Sequence, residues 1–167
     1  EGHPLGWLTM SLFYAPDLAD RLENEMIPAL RAGFIVLTDR YIFSPMARAL
    51  IRGADKEWIK GVFDFALKPD SVIYLRVGVQ DLITRVIQTS GFNYWEAGMD
   101  LRLGEDMYES FVEYQTRLMK EFDAMVGDYN FQVIETAPNI EEVFEQVKAC
   151  VEPILRTRRA RVQRRHE

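Results

Sequence analysis

Asp39-Arg40-Tyr41 sets an acid, a base and an aromatic side by side. The chemistry open to such a cluster is ligand binding, provided that the chain places it where a ligand can reach. It follows Phe34-Ile35-Val36-Leu37-Thr38, an apolar and largely β-branched run. That run reads as a strand buried on both faces, as in the interior of a parallel sheet. In open α/β sheets ligands collect beyond the carboxyl ends of the strands, which is where the triplet stands. The same three residues also fit a strand that ends in a turn with a surface ion pair, and the local pattern leaves both readings open.

The elements needed to position this cluster can be read in order. Residues 7–30 read as helical with a joint at Pro16, which can occupy the first turn of a new helix. Leu18, Leu22, Met26 and Leu30 recur every fourth position as one apolar stripe. Pro28 predicts a distorted last turn, and Gly33 a terminator before the strand. Ser44-Pro45 starts a helix to about Ile51, and Asp55 caps another holding Trp58, Ile59, Val62, Phe63 and Phe65. Residues 71–77 predict a second strand and residues 79–88 a helix. Residues 89–104, punctuated by Gly91, Gly98 and Gly104 around Phe92-Asn93-Tyr94-Trp95-Glu96, have no period and read as a mobile lid. A helix over 105–126 then carries Met107, Phe111, Tyr114, Leu118 and Phe122 on one face. Residues 127–130 read as a turn and 131–135 as a third strand. Asn139 caps a last helix with Ile140, Val143, Phe144, Val147, Val151 and Ile154 inward. Strands alternating with helices give an α/β fold with a parallel sheet, although three strands are few where about five or six are usual.

Composition narrows the class. The 167 residues suit one domain, 48% hydrophobic, with no apolar run near the roughly 20 residues of a membrane span. A single cysteine, Cys150, excludes an internal disulfide and fits a reducing, cytoplasmic setting. The opening Glu1-Gly2-His3 has no basic n-region, so no signal peptide is expected. Two histidines near opposite ends make a His-rich metal site a poor expectation. Net charge is −6, yet Arg156, Arg158, Arg159, Arg161, Arg164 and Arg165 crowd the last dozen residues. We therefore read residues 1–155 as the domain and 156–167 as a basic tail. The acidic body is a poor nucleic-acid binder, and only the tail offers a basic surface.

The ordered motifs resemble the thymidylate kinase family of P-loop nucleoside monophosphate kinases. The resemblance runs through Leu12-Phe13-Tyr14-Ala15, residues 27–33, and Asp39-Arg40-Tyr41 with Ser44 beyond it. It continues through Lys68-Pro69-Asp70, the lid-like loop, residues 106–111 and the closing strand and helix. It implies a three-layer α/β P-loop kinase fold and γ-phosphoryl transfer from ATP, with Mg2+, to dTMP or a related nucleoside monophosphate. Asp39 is then the carboxylate that orients magnesium through water. Arg40 is the cation that holds the acceptor phosphate, a clear task in a reaction run by positioning and charge stabilisation. Tyr14 stands at or beside the aromatic that stacks on the base, Asp17 and Tyr41 belong to the same motifs, and Ser44 approaches base or sugar. Arg85 and Arg102 flank the lid and reach the phosphates when it closes. Tyr108 and Glu109 line the nucleoside side. The family also implies a homodimer through the helix face spanning 17–31, and no membrane partner.

Some features depart from that pattern. No Gly-x-x-x-x-Gly-Lys-Ser/Thr occurs in these residues, so they contain no backbone cradle for donor phosphates. In the family that loop follows a first strand lying between those at 34–38 and 71–77. Two interior ladders would be left open, at roughly 1–3 kcal/mol for each unsatisfied buried amide. The expectation is therefore that an N-terminal segment with the first strand and P-loop belongs to the whole protein. The alternative is a non-catalytic nucleotide- or phosphate-binding regulatory module without a P-loop. On the acceptor side, Leu18 stands where the family has arginine, with Arg21 one helical turn later on the same face. Arg48-Ala49 replaces an aromatic-glutamine pair. Arg48 is thus either a contact to a different acceptor or a bridge to a surface acid.

Overall fold

The computed structural model describes residues 5–89, 91–136 and 139–163, with side chains of the last helix described to Arg156. The chain divides into two compact units, Glu1–Lys68 with Arg117–Phe122, and Pro69–Thr116 with Asp123–Glu167.

In the first unit α1 (Trp7–Arg21) runs through Pro16 without a joint, contrary to expectation. A proline inside a helix removes one hydrogen bond and crowds the preceding turn. Packing of the Leu18 and Leu22 stripe, both nearly fully buried, keeps the helix intact across it. The irregularity lies further on. Leu22–Met26 forms one wide π turn, in which Ile27 N–H donates to the Leu22 carbonyl, and α2 (Ile27–Arg31) continues behind it. Pro28 has no N–H to offer, and the helix widens just before it. Gly33, at φ 88°, ends the helix as predicted.

Beyond the site turn come α3 (Phe43–Ile51) and α4 (Lys56–Val62). Asp55 caps α4, its Oδ1 accepting from Trp58 N–H at 2.7 Å. Phe43, Met46, Ala47, Ala49, Ile59 and Phe63 join Leu18 and Leu22 in the core. Trp7 meets Trp58 edge-on at 5.7 Å.

Residues 34–38 correct the opening expectation. They form no strand, and Phe34, Ile35 and Leu37 are 64%, 67% and 95% exposed. Side-chain pattern alone does not make a strand, because the ladder needs a neighbour to satisfy backbone N–H and C=O groups. Among the described residues this segment has none.

The second unit contains β1 (Ile73–Arg76) and β2 (Gln132–Glu135), paired in parallel from Ile73↔Gln132 to Arg76↔Glu135. Helices α5 (Val79–Gln88), α6 (Met107–Tyr129) and α7 (Ile140–Gln163) complete an α/β architecture that is mostly helical. The expected third ladder partner, residues 34–38, is absent for the reason above. Arg76 and Glu135 are opposite one another across the strands, and Arg76 Nε donates to Glu135 Oε1 at 2.8 Å. Its Nη1 donates to Asp123 Oδ1 at 3.3 Å. The Arg76 guanidinium hydrogen-bonded to Glu135 holds that carboxyl below its usual value. Burial, and then the Asp123 carboxylate, push the Tyr74 phenol up to about 12.

Ile83, Ala97 and Phe111 centre this unit's core, with Phe92 packed on Phe111 at 4.8 Å. The expected lid is fastened down at its middle. Ala97 is fully buried, and its carbonyl accepts from Ser110 Oγ at 2.7 Å. The Glu96 carbonyl accepts from Gln115 Nε2 at 2.9 Å. Tyr94 and Trp95 remain about half exposed. Residues 127–129, expected as a turn, continue α6 until Asn130 caps it at φ 54°. Helix α7 packs on β2, but Ile140 and Phe144 are 76% and 63% exposed rather than inward. It also crosses the expected tail boundary at 156, while Arg164 and Arg165 lie outside the described residues.

Candidate functional site

A cleft of about 180 Å³ opens in the first unit between α1, the turn after residue 38, and α3. From α1 come Tyr14, Leu18 and Arg21, spaced i, i+4 and i+7 so that they share one face. The turn supplies Asp39, Arg40, Tyr41 and Ile42. Helix α3 contributes Ser44, Pro45 and Arg48, the first and last four residues apart on one side, and Phe63 at the end of α4 closes the wall.

The turn is unusual. Arg40 and Tyr41 both lie in the left-handed region, at φ 64° and 45°. Such a conformation costs a non-glycine residue roughly 1–2 kcal/mol, so neighbouring contacts must hold it. Tyr41 N–H donates to the Asp39 carbonyl at 2.7 Å. Its hydroxyl donates to the Leu67 carbonyl at 2.9 Å, and its ring meets Phe43 at 6.3 Å. Burial pushes the Tyr41 phenol above its ordinary value. The effect is to turn the Arg40 and Asp39 side chains outward. Their charged atoms are 3.8 Å apart, and the side chains are 58% and 93% exposed. A pair so loose and so wet contributes little to stability, which leaves both groups open to a ligand.

The structure brings seven of the sequence candidates, Tyr14, Arg21, Asp39, Arg40, Tyr41, Ser44 and Arg48, to the wall of this cleft. Asp17 does not line it. It bridges to Arg21, Nη2 to Oδ2 at 2.7 Å, and so aims the guanidinium. The remaining candidates belong to the second unit. Arg85 is exposed in the last turn of α5, and Arg102 is exposed at φ 53° behind the 3₁₀ turn Met99–Leu101. Tyr108 packs edge-on to Phe92 at 6.1 Å. Glu109 has a local task, its Oε2 accepting from Glu105 N–H at 3.0 Å while Asp106 caps its own N–H at 2.8 Å.

Ile42, Pro45 and Phe63 escaped the sequence reading. Phe63 was read only as one of the apolar residues of the helix behind Asp55, and it is 3% exposed; nothing in its pattern shows that one edge faces a cleft. The Leu67 anchor is a backbone carbonyl and leaves no trace in residue types.

Asp39 was also assigned to magnesium. Among the described residues no three carboxylate, histidine or cysteine groups converge on a metal position. Mg2+ keeps several waters and commonly takes only one or two carboxylates together with substrate phosphates. A single exposed carboxylate fits that mode and would not fit a cage made of protein alone.

The family profile described as thymidylate kinase matches residues 4–147. The chain belongs to the thymidylate kinase family. It is 34% identical over 139 residues to "Probable thymidylate kinase 2" of Saccharolobus solfataricus, an alignment covering 81% of this chain and 65% of that protein. It is 26% identical over 156 residues to "Probable thymidylate kinase" of Thermococcus kodakarensis, covering 93% and 70%. With "Thymidylate kinase" of Caldicellulosiruptor saccharolyticus it shares 29% over 155 residues, covering 90% and 70%. The chain thus spans about two thirds of these thymidylate kinase relatives, and less than that of the first. Among the described residues no helix is long and apolar enough to cross a membrane.

Proposed function

We propose that this chain carries the acceptor side of a nucleoside monophosphate kinase, which moves the γ-phosphoryl of ATP to dTMP or a related monophosphate. The observation that carries the reading is the convergence of Tyr14, Asp39, Arg40, Ser44 and Arg48 on one cleft. Cations and an aromatic wall suit a ligand with a phosphate at one end and a flat ring at the other. The cleft is smaller than the roughly 300–1,000 Å³ of pockets that enclose a whole ligand, so a nucleotide would be only partly enclosed by this unit.

Arg40 takes the acceptor phosphate in this reading. Its left-handed backbone fixes where the guanidinium starts, and the fork geometry suits phosphate oxygens. Asp39 would hold Mg2+ through water, where the ion supplies charge neutralisation to the phosphate oxygens. The tyrosine ring of Tyr14 gives the base a surface to stack on. Arg85 and Arg102 would meet the phosphates from the lid side. Homodimerisation through the 17–31 face is part of the same reading.

Calorimetry of the chain with dTMP tests it. Arg40→Ala should weaken binding by roughly tenfold or more, as expected when one charge-assisted contact is lost. A chain that binds no nucleoside monophosphate would sink the reading. Because the residues present contain no P-loop, the competing reading is a module that binds nucleotide without phosphoryl transfer. Titration of the whole protein with ATP and Mg2+ separates the two, since such a module binds the acceptor and shows no magnesium-dependent donor binding.

A further inference from the structure

Helix α7 does not stop where the basic composition begins. It runs unbroken from Ile140 to Gln163, and so carries Arg156, Arg158, Arg159 and Arg161 on one helical backbone. Arg164 and Arg165 follow in the sequence, no acid stands between Glu152 and Glu167, and no lysine comes after Lys148. Of the chain's 20 basic and 26 acidic side chains, 14 and 25 fall in residues 1–155. The body therefore has a formal charge of −11 and residues 156–167 one of +5. The helix dipole favours cations in the last turn alone, which accounts for Arg161 and not for the three before it. Like charges three or four residues apart oppose a helix, so a partner that neutralises them stabilises this one. Arg156 donates to Glu152 Oε2 at 3.4 Å while its side chain is 82% exposed. So exposed a pair contributes little and gives way to a stronger acceptor.

The spacing says which polyanion fits. At about 1.5 Å per residue, positions 156 to 161 set four charges along about 7.5 Å of helix axis, about 2 Å for each. Double-stranded DNA carries one negative charge per roughly 1.7 Å of its own axis, and the two densities are close. At about 100° per residue the four positions spread over about 220° around the helix. A flat anionic surface meets only one side of a helix. A groove walled by two phosphate backbones meets both flanks, and the major groove, about 12 Å wide, admits a helix. Lipid is disfavoured for a second reason. Between 156 and 163 the apolar residues are Ala160 and Val162, too few for the apolar face that an interfacial helix buries. Arginine in place of lysine also suits phosphate, whose oxygens its planar fork matches.

We propose that the basic end of α7 is a docking element for double-stranded DNA, seated in the major groove by phosphate contacts and indifferent to base sequence. None of its residues lines the cleft, and the proposal stands apart from the kinase reading. The acidic body repels the same polymer, so the contact is confined to this segment.

The experiment is fluorescence anisotropy of a labelled DNA duplex titrated with the whole chain between about 50 and 200 mM salt. Duplex RNA of the same length and phosphatidylserine vesicles are titrated beside it. Wild type should bind two unrelated DNA sequences equally and lose roughly 10²-fold in affinity across that salt range, as four phosphate contacts require. RNA, whose major groove is too narrow to enter, and vesicles should bind more weakly. The triple change Arg158→Gln, Arg159→Gln and Arg161→Gln keeps good helix formers. It should weaken binding at least tenfold at low salt and make the salt slope shallower by about 3. Lysine at the same three positions should stay within a few-fold of wild type. A melting curve of each variant shows that the body is folded, and loss of binding in a folded lysine variant would overturn the proposal. So would a wild type that leaves the DNA unbound at low salt, or a glutamine variant that binds as well as wild type. Equal or tighter binding to RNA or to vesicles would overturn it too, by removing the groove or the polymer from the account.

Discussion

Tyr41 holds the site turn in place through one hydroxyl. The Leu67 carbonyl that accepts from it, at 2.9 Å, is the contact opposing relaxation of two successive left-handed residues. Tyr41→Phe keeps the ring against Phe43 and removes only that bond. The expected cost is about 1 kcal/mol in urea denaturation, together with weaker binding of dTMP as Arg40 loses its fixed origin. A second readout follows from protonation. The folded-state phenol titrates above its ordinary value of 10.0, so in alkali the native state binds more protons than the unfolded chain. Stability is therefore full below that value and falls as pH rises past it. Tyr41→Phe should flatten that fall, leaving the part due to Tyr74, whose phenol is pushed up to about 12. An unchanged alkaline limb in the variant would show that Tyr41 is not what the turn hangs on. At this scale the sequence was informative about charge and poor about geometry. Asp39-Arg40-Tyr41 stood out as a cluster, but nothing in three residue types announces positive φ at two non-glycine positions.

Helices were more legible than strands. The fourfold spacing of Leu18 and Leu22, the Asp55 cap and the bounds of α5 all follow from local rules, because a helix satisfies its own backbone. Pro16 misled, since a proline was weighed as a break when tertiary packing on both sides carries the helix through it. The segment at 34–38 misled more deeply. Its side chains describe a buried environment, yet a strand exists only where a second chain segment answers its hydrogen bonds. The glycine-punctuated stretch after α5 was read as mobile, and here spacing could not show that Gly98 is a packing point. Gly98 lies at φ 62°, and a Cβ there would come within 2.5 Å of the Tyr114 ring. Gly98→Ala should therefore destabilise the second unit by on the order of 2–4 kcal/mol, combining left-handed strain with overpacking. Thermal melting followed by near-ultraviolet dichroism would register it through Tyr114. A variant that melts with wild type would mean that the stretch lifts away from α6 at no cost.

Across the whole molecule the apolar surface is unevenly spread. The exposed residues of the 17–31 segment are mostly polar, Asp17, Glu23, Glu25 and Arg31 among them, whereas Phe34, Ile35 and Leu37 present three large apolar side chains in four positions. An extended apolar segment with no ladder partner among the described residues is a template for pairing with another chain. Full burial of each side chain is favourable by roughly 1.5–3 kcal/mol, a gain that works against the roughly 4–15 kcal/mol entropy of docking and favours association as concentration rises. The chain should accordingly sediment with a concentration-dependent mass, and Ile35→Lys with Leu37→Lys should remove the part of that association made through this segment. Neither residue lines the cleft, so dTMP binding should survive the double change. If the wild type stays monomeric at every concentration, the exposed segment is inert. If association persists in the double variant, the contact lies elsewhere, and the 17–31 face becomes the surface to alter next, with Glu25→Arg as the first change to sediment against wild type.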